Sequence, residues 1–425
     1  MSFASFIAKR IAFADSKSLS YVIIRIATAS VALSVAVMLI ATSLVAGFKK
    51  EISAKIFGFW GHIHITDTAI NRSFEAVPVS TQQNFYSDNN KVGTWGTAQL
   101  RSWAKANQIN LKGEVRHLQT YALKPGIIKT KKELEGIVLK GVGRDFDWDF
   151  LKQYLVSGTP IPQDSTDRYI LISNTTANRL NVKVGSKFIV YFEQKGDLEP
   201  LRFTVCGIYK TGLDEYDKKL ALTDIHTIRN LLGWQPDQVA GFEVFLDNIQ
   251  DMEVVNQYLY QEVIPETLYC ETIRERNPGI FEWLDLQDVN EIVILVLMLI
   301  VCIINMTTSI LILILERTNM IGILKAMGSN NWQIRKIFLH KATYIIGVGL
   351  LWGNIIGIGL LLLQRYFTII KLPEEDYYLS YAPVNFDVVT IAAINVGTLL
   401  VTLLFLLIPS YIVTRITPVR AIRFK

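Results

Sequence analysis

The sequence predicts an α-helical membrane protein with four transmembrane helices and a large α+β extracytoplasmic domain between helices 1 and 2. Four apolar runs are long enough to cross a bilayer, which needs about 20 residues of helix. Between the first and second runs lie more than 200 polar and mixed residues without such a run. Half of the 425 residues are hydrophobic and 19% are charged, which suits a membrane protein with a substantial soluble part.

The apolar runs and their flanks divide the chain into nine segments. The first run, at residues 26–48, is longer than the roughly 7–15 residues of a signal-peptide core, so we expect a retained span rather than a cleaved signal. The predicted segments are an amphipathic entry helix (1–20), transmembrane helices (21–48, 286–315, 339–365 and 386–413), the α+β domain (49–285), a short helix between spans 2 and 3 (316–338), an outside loop (366–385) and a tail (414–425).

Basic residues are concentrated in three of these segments. Residues 1–20, 316–341 and 414–425 together hold twelve Lys and Arg but only two acids. By the positive-inside bias these segments lie in the cytoplasm, which places both termini there and the large domain outside. The basic overall charge of +5 therefore reports membrane topology, and nucleic-acid binding is not needed to explain it.

The large domain mixes strand and helix patterns. Residues 62–66, 187–192 and 202–208 alternate as strands do, and helical patches are expected at 97–106, 144–153, 173–180, 223–232 and 252–263. We expect two subdomains. Cys206 and Cys270 both fall in this domain, where a disulfide is possible, but nothing in their spacing argues for one and free thiols are favoured.

The segment between spans 2 and 3 has an apolar face. Met320, Ile321, Leu324 and Met327 recur at helical spacing, and Gly328 with Ser329 is typical of a helix stop. A short cytoplasmic helix with an exposed apolar face indicates a protein partner. An alternative is an amphipathic helix that lies on the membrane surface.

This segment resembles the coupling helix of the FtsX-like permease family of ABC transporters, which includes the lipoprotein-releasing LolC/LolE permeases and the MacB pumps. The resemblance rests on Glu316, the octet at 321–328, and Ile334 with Ile337 and Phe338. The closing residues Pro418, Ala421 and Arg423 and the 141–185 region, which is similar to the MacB-like periplasmic core, add to it; residues 71–107 match nothing. The implied ATPase-coupling residues are Glu316, Ile321, Gly322, Leu324, Lys325, Ala326, Met327 and Gly328.

The family resemblance implies a function and a set of partners. It implies a permease subunit of the bacterial inner membrane that pairs with a second permease subunit, identical or related, and with a cytoplasmic ABC ATPase dimer that binds ATP and Mg. Lipoprotein cargo would enter from the membrane lipid between spans 1 and 2 and pass to a periplasmic carrier. Residues expected at that entry from helical phase are Val31, Val35, Leu39, Val293 and Leu297.

Two alternatives to lipoprotein release stay open. A mechanotransmission permease would act on an envelope partner without moving lipid, and a sensing permease or scaffold would not transport at all. A scaffold does not need the coupling octet, so changes at Lys325 or Gly328 would leave its function intact.

The sequence contains no motif for catalysis in this chain. It has no Walker A motif, no G-x-S-x-G and no H-E-x-x-H, so we expect no catalytic residue and no cofactor bound by the chain itself. His62 and His64 share a strand face, but only Asp67 lies near enough in sequence to complete a metal site, and we expect them to be structural.

Two features of the spans predict close helix packing. Gly349, Gly353 and Gly357 recur every four residues and therefore share one helix face, which lets another backbone approach. Asn305 lies in the middle of the second span, where an amide is costly unless it bonds across helices.

Overall fold

The computed structural model describes residues 19–69, 76–87, 92–129, 134–162, 167–194 and 196–415. Contacts divide the chain into two compact units. The helical unit comprises Met1–Lys50, Glu282–Lys371 and Tyr381–Lys425, and the sheet unit comprises Glu51–Phe281 and Leu372–Ser380. Most of the predicted entry helix and tail, and residues 71–75 and 88–91 of the unmatched region, lie outside the described residues.

The α-helices and the strands are numbered separately, each in chain order. The helices are α1 (Leu19–Trp60), α2 (Ala98–Ala106), α3 (Trp148–Lys152), α4 (Asn174–Leu180), α5 (Asp214–Asp217), α6 (Ile225–Leu232), α7 (Met252–Tyr258), α8 (Ile273–Arg276), α9 (Pro278–Glu316), α10 (Thr318–Ala326), α11 (Asn331–Phe367), α12 (Glu374–Tyr377), α13 (Val388–Ser410) and α14 (Ile412–Arg415). The strands are β1 (Ile63–Asp67), β2 (Val79–Ser80), β3 (Val115–Lys129), β4 (Leu134–Val142), β5 (Leu155–Gly158), β6 (Tyr169–Ser173), β7 (Lys187–Gln194), β8 (Asp197–Tyr209), β9 (Leu220–Asp224), β10 (Gln238–Val239), β11 (Gly241–Leu246) and β12 (Leu268–Thr272).

Four helices among the described residues are long and apolar enough to cross a membrane: α1, α9, α11 and α13. Three of them, α1, α9 and α11, extend beyond the predicted spans. Helix α1 continues through Gly58 to Trp60 and stops where Gly61 takes a left-handed φ of +71°. Helix α9 starts at Pro278, a residue suited to the first helical turn.

The predicted short helix at 316–338 is divided in the structure. Helix α10 ends at Ala326, and Gly328 has a φ of +92°, as expected of a glycine that follows a helix. Asn330 then caps α11 in a capping box with Gln333, so residues 331–338 are the first two turns of the third long helix.

Among the described residues the sheet unit has one ten-stranded sheet and a separate two-stranded pair, β10 with β2, rather than two subdomains with a large sheet each. The strand order among the described residues is β12-β1-β11-β3-β4-β9-β6-β8-β5, and β7 pairs with both β3 and β8. Within the described part of the sheet, β4 pairs with β9 and β6 with β8 in parallel, and the other pairings are antiparallel. Helices form close to the expected patches at 97–106, 173–180 and 223–232.

Part of the predicted loop at 366–385 belongs to the sheet unit. Glu374 forms a 2.6 Å ion pair with Lys210, and the Lys55 ammonium donates to the carbonyl oxygen of Tyr378 at 3.0 Å. Segment 372–380 is therefore held by side chains more than 150 residues away in sequence.

The centre of the sheet unit contains a buried ion pair. Lys140 on β4 lies 2.6 Å from Glu243 on β11, and neither side chain is exposed. The Lys140 ammonium also donates to the Phe59 carbonyl at 2.5 Å, and Gln119 donates to the second Glu243 oxygen at 2.7 Å. The pair therefore ties the last turn of α1 to the sheet.

Candidate functional site

Helix α10 lies at one end of the helical unit and has one buried and one exposed side. Ile321 and Gly322 are buried, and Met320 and Leu324 are half-buried against the core of the bundle. Ile323 and Met327, which are four residues apart, are 53% and 77% exposed. The exposed apolar surface is thus Ile323, Ala326 and Met327. Of the predicted face of Met320, Ile321, Leu324 and Met327, Met327 is exposed and the other three pack into the bundle.

The bundle holds α10 through both apolar and polar contacts. Ile321 belongs to a buried cluster that includes Ile314, Ile334, Phe338 and Val413. This cluster joins the ends of α9, α11 and α14 to α10. A movement of α10 is therefore coupled by packing to the ends of the membrane helices.

Lys325 fastens α10 to the end of the described chain. Its ammonium donates to the carbonyl oxygen of Val413 at 2.8 Å and lies 3.4 Å from that of Thr414. A cation near the carbonyl groups that end a helix satisfies acceptors that lack partners within the helix. Partial burial lowers the pKa of Lys325. Glu316 and Gly328, the two ends of the predicted site, are exposed.

The glycine face of α11 packs against α1. A Cβ atom at Gly349 would lie 2.7 Å from Val31, one at Gly353 would lie 2.9 Å from both the Ala32 carbonyl oxygen and Val35, and one at Gly357 would lie 3.2 Å from Ala36. Close approach of the two backbones therefore requires glycine at the first two positions.

The residues predicted to line a cargo entry do not come together in this structure. Val31, Val35 and Leu39 are at most 1% exposed, because the glycine face of α11 covers them. Val293 and Leu297 on α9 are about half exposed, at 49% and 52%. Their role in cargo entry stays a prediction, and only the α9 residues are accessible for it here.

The amide of Asn305 bonds across helices. Its nitrogen donates to the Ser30 hydroxyl on α1 at 2.6 Å. Near the other end of these helices, the Lys49 ammonium lies 2.5 Å from Asp288. Helices α1 and α9 are thus joined by polar contacts at two levels.

Two polar contacts of the bundle were not found by sequence reasoning. Asn354 on α11 and Asn395 on α13 exchange amide hydrogen bonds of 2.6 and 3.0 Å. Arg335 donates to the Ser410 hydroxyl and to the Leu407 carbonyl, both at 3.0 Å. Asn354 and Asn395 could have been found, since an amide inside an apolar span needs a partner.

The two histidines near β1 are packed structural groups. The His62 ring stacks on Phe57 at 4.5 Å and accepts a hydrogen bond from the Leu246 backbone at 3.2 Å. His64 lies 2.9 Å from Arg276. Burial lowers the pKa of His62 to about 3, so the imidazole is neutral. In the described part of the chain no three His, Cys, Asp or Glu residues are grouped as metal ligands, and Cys206 and Cys270 are free and buried.

The C-terminal part of the chain matches a known protein family, and most of the chain is similar to named proteins. Residues 292–418 match the FtsX-like permease C-terminal family. The chain is 23% identical to the lipoprotein-releasing system transmembrane protein LolC of Neisseria meningitidis serogroup B, with 94% of each chain covered. It is 22% identical to LolC of Xylella fastidiosa, covering 93% of this chain and 92% of the relative. It is 21% identical to LolE of Haemophilus influenzae, covering 92% of each.

One solved structure is also similar over about half of the chain. It is the extracellular domain of the noncanonic ABC-type transporter YknZ from Gram-positive bacteria, at 13% identity and a TM-score of 0.29, with 49% of this chain and 98% of that one covered. The sequence resemblance to FtsX-like permeases and to LolC/LolE proteins is thus confirmed by the family match and by the relatives.

Proposed function

We propose, from the FtsX-like permease domain at residues 292–418, that this chain is the permease subunit of an ABC transporter that extracts lipoproteins from the bacterial inner membrane. A separate cytoplasmic ATPase supplies the energy and binds ATP and Mg. The released lipoprotein passes to a periplasmic carrier. Relatives named for lipoprotein release cover more than nine-tenths of the chain, which supports this cargo class.

The observation that carries the proposal is the exposed apolar side of α10. Ile323 and Met327 project from a short helix whose opposite side is fixed in the bundle. Large apolar side chains that stay exposed on such a helix are typical of a protein-binding surface. In this proposal they fit a groove of the ATPase.

Transmission of the ATPase movement follows from how α10 is held. The Lys325 hydrogen bonds and the buried Ile321 prevent α10 from moving alone, so displacement of α10 displaces the ends of α9, α11 and α14. Tightly packed interfaces of this kind shift between discrete arrangements rather than deforming continuously.

The rest of the proposal concerns topology and assembly. The sheet unit lies outside the cytoplasm, as the MacB-like periplasmic core does, and both termini lie inside. A second permease subunit, identical or related, covers the exposed apolar surface of α9. The exposure of α9 supports this, since only 11% of its most apolar stretch is buried within the chain, against 56% for α1.

The test is affinity purification of the full chain from native membranes, followed by mass spectrometry of bound proteins and lipids. We expect an ABC ATPase together with acylated lipoproteins. The double variant Ile323→Ser and Met327→Ser should retain about tenfold less ATPase, since central apolar contacts each contribute more than about 1 kcal/mol to an interface.

The matched control is Leu351→Ser with Ile355→Ser. These residues have the same spacing and are 60% and 53% exposed, but they lie in the apolar middle of α11. Equal loss of ATPase in both double variants, or no ATPase with the wild-type chain, would contradict the coupling surface. An ATPase with an envelope protein but without lipidated cargo would favour the mechanotransmission permease.

A further inference from the structure

An open groove runs between α11 and α13 on the surface of the helical unit. It is a cavity of about 660 Å³, within the roughly 300–1,000 Å³ of small-molecule sites. One wall is a stripe of α11 and the other a leucine stripe of α13. The walls are Lys336, Leu339, His340, Thr343 and Tyr344 on α11, and Leu400, Leu403, Leu404 and Leu407 on α13.

The two helices are tied together at both ends of the groove. On one side the amides of Asn354 and Asn395 bond to each other. On the other side Arg335 binds the hydroxyl of Ser410 and the carbonyl of Leu407. Between these ties the leucines leave a gap, and Leu400 and Leu404 remain 61% and 65% exposed. The groove is therefore held open by fixed contacts on either side of it.

The charge in the groove is positive and lies at one end of it. The Lys336 ammonium lies 5.6 Å from the centre of the Trp332 ring, and among the described residues it has no carboxylate partner. The Nδ1 atom of His340 bonds to the Lys336 carbonyl at 2.7 Å, which leaves the Nε2 edge of the ring for another partner. Residues 316–341 contain only one acid, Glu316, so the region attracts anions.

We propose that this groove binds an anionic phospholipid of the surrounding bilayer. The phosphate lies at the Lys336 ammonium and beside the His340 ring, with the Tyr344 hydroxyl as a further donor, and one acyl chain lies along Leu400, Leu404 and Leu407. Basic pockets between membrane helices at the cytoplasmic side favour anionic headgroups. Selectivity comes from the headgroup, because an acyl chain gains little by exchanging other lipid tails for leucine. The proposal needs only that the helices span a bilayer and holds whatever the transporter's cargo is.

The test is native mass spectrometry of the full-length protein, delipidated in detergent and titrated with phosphatidylglycerol or phosphatidylcholine of identical acyl chains. Wild-type protein should retain phosphatidylglycerol preferentially. Lys336→Gln should lower its retention about fivefold, and adding His340→Gln should lower it further. Leu404→Trp, which fills the groove, should lower retention of both lipids.

Two controls match these variants. Lys371→Gln removes an exposed lysine just beyond the other end of α11, and Leu360→Trp adds the same bulk to an exposed position outside the groove. Both should bind phosphatidylglycerol as the wild type does. Thermal unfolding of each variant checks that it is folded. If Leu404→Trp is unstable, the Lys336→Gln variant alone tests the proposal, because Lys336 is exposed and its substitution should not affect folding.

Three results would overturn the proposal. Equal retention of the two lipids by the wild-type protein would remove the headgroup selectivity. Unchanged phosphatidylglycerol retention in both Lys336→Gln and a folded Leu404→Trp would place any bound lipid elsewhere. Lipoprotein cargo whose acyl chains occupy the groove would reduce the retention of phosphatidylglycerol. That result would make the groove part of the cargo path instead.

Discussion

The ammonium of Lys140 lies in the sheet unit without any exposed surface. Burial lowers the pKa of Lys140, while Glu243 at 2.6 Å favours its charged form. Trp60, with its ring centre 4.7 Å from the ammonium, adds a cation–π contact. Burying such an ion pair costs desolvation free energy. Removing one partner costs more, because the other charge remains buried without a counterion.

Lys140→Met should therefore destabilise the protein by about 3–5 kcal/mol, because Glu243 would remain buried without its cation. Thermal and chemical unfolding of the purified full chain measures this. Adding Glu243→Gln should recover most of the loss, since a neutral amide can still accept from Gln119.

Lys152→Met is the control for this prediction. Lys152 pairs with Asp149 at 3.1 Å, but the two side chains are 57% and 88% exposed. Such a surface pair contributes about 1 kcal/mol or less. If Lys140→Met were as mild as Lys152→Met, the buried pair would not hold α1 to the sheet.

Among the elements, α11 shows how a local pattern becomes an interface. Its glycines at 349, 353 and 357 face Val31, Val35 and Leu39 of α1, whereas Gly347 and Gly359 have open space around them. The same residue type on one helix thus serves two different environments.

Gly353→Ala should destabilise the helical unit by about 1–3 kcal/mol, as overpacking does, because the new methyl group would meet the Ala32 carbonyl and Val35 at about 2.9 Å. Gly359→Ala should be neutral or slightly stabilising, since nothing lies within 4 Å of its Cβ position. Melting temperatures in detergent compare the two.

The partner side of this contact provides a second check. Trimming Val35 to Ala in the Gly353→Ala background should restore part of the lost stability, because the two groups compete for the same space. If both glycine variants melted at the same temperature, close packing of α1 and α11 would be contradicted.

At the scale of the whole molecule, segment 372–380 connects distant parts of the sequence. It is flanked in the chain by residues of the helical unit but belongs to the sheet unit. Lys55 and Lys210 hold it through the Tyr378 carbonyl and the Glu374 carboxylate.

Lys55→Met should release this segment. A hydrogen bond from a charged donor contributes about 1.5–3 kcal/mol, so amide hydrogen exchange at Tyr377 and Tyr378 should become at least about tenfold faster. Lys50→Met, which changes an exposed lysine of the same helix, should leave the exchange unchanged. Unchanged exchange in Lys55→Met would show that other contacts hold the segment.

The sequence alone determined the features that depend on local pattern. Apolar runs of span length, glycines every four residues and the stop at Gly328 are properties of a short window, since bilayer thickness and helix geometry fix them. The resemblance of residues 316–338 to the coupling helix of the FtsX-like permease family can likewise be recognised from the sequence alone.

The tertiary structure decided what depends on distant neighbours. It buried Ile321 and left Ile323 exposed, although both are apolar, because the ends of α9, α11 and α14 meet at Ile321. It covered Val31, Val35 and Leu39 with the glycines of α11 and paired Lys140 with Glu243. It also left a groove between α11 and α13, next to Lys336. A local window cannot specify these features, since each depends on side chains that are tens to hundreds of residues apart.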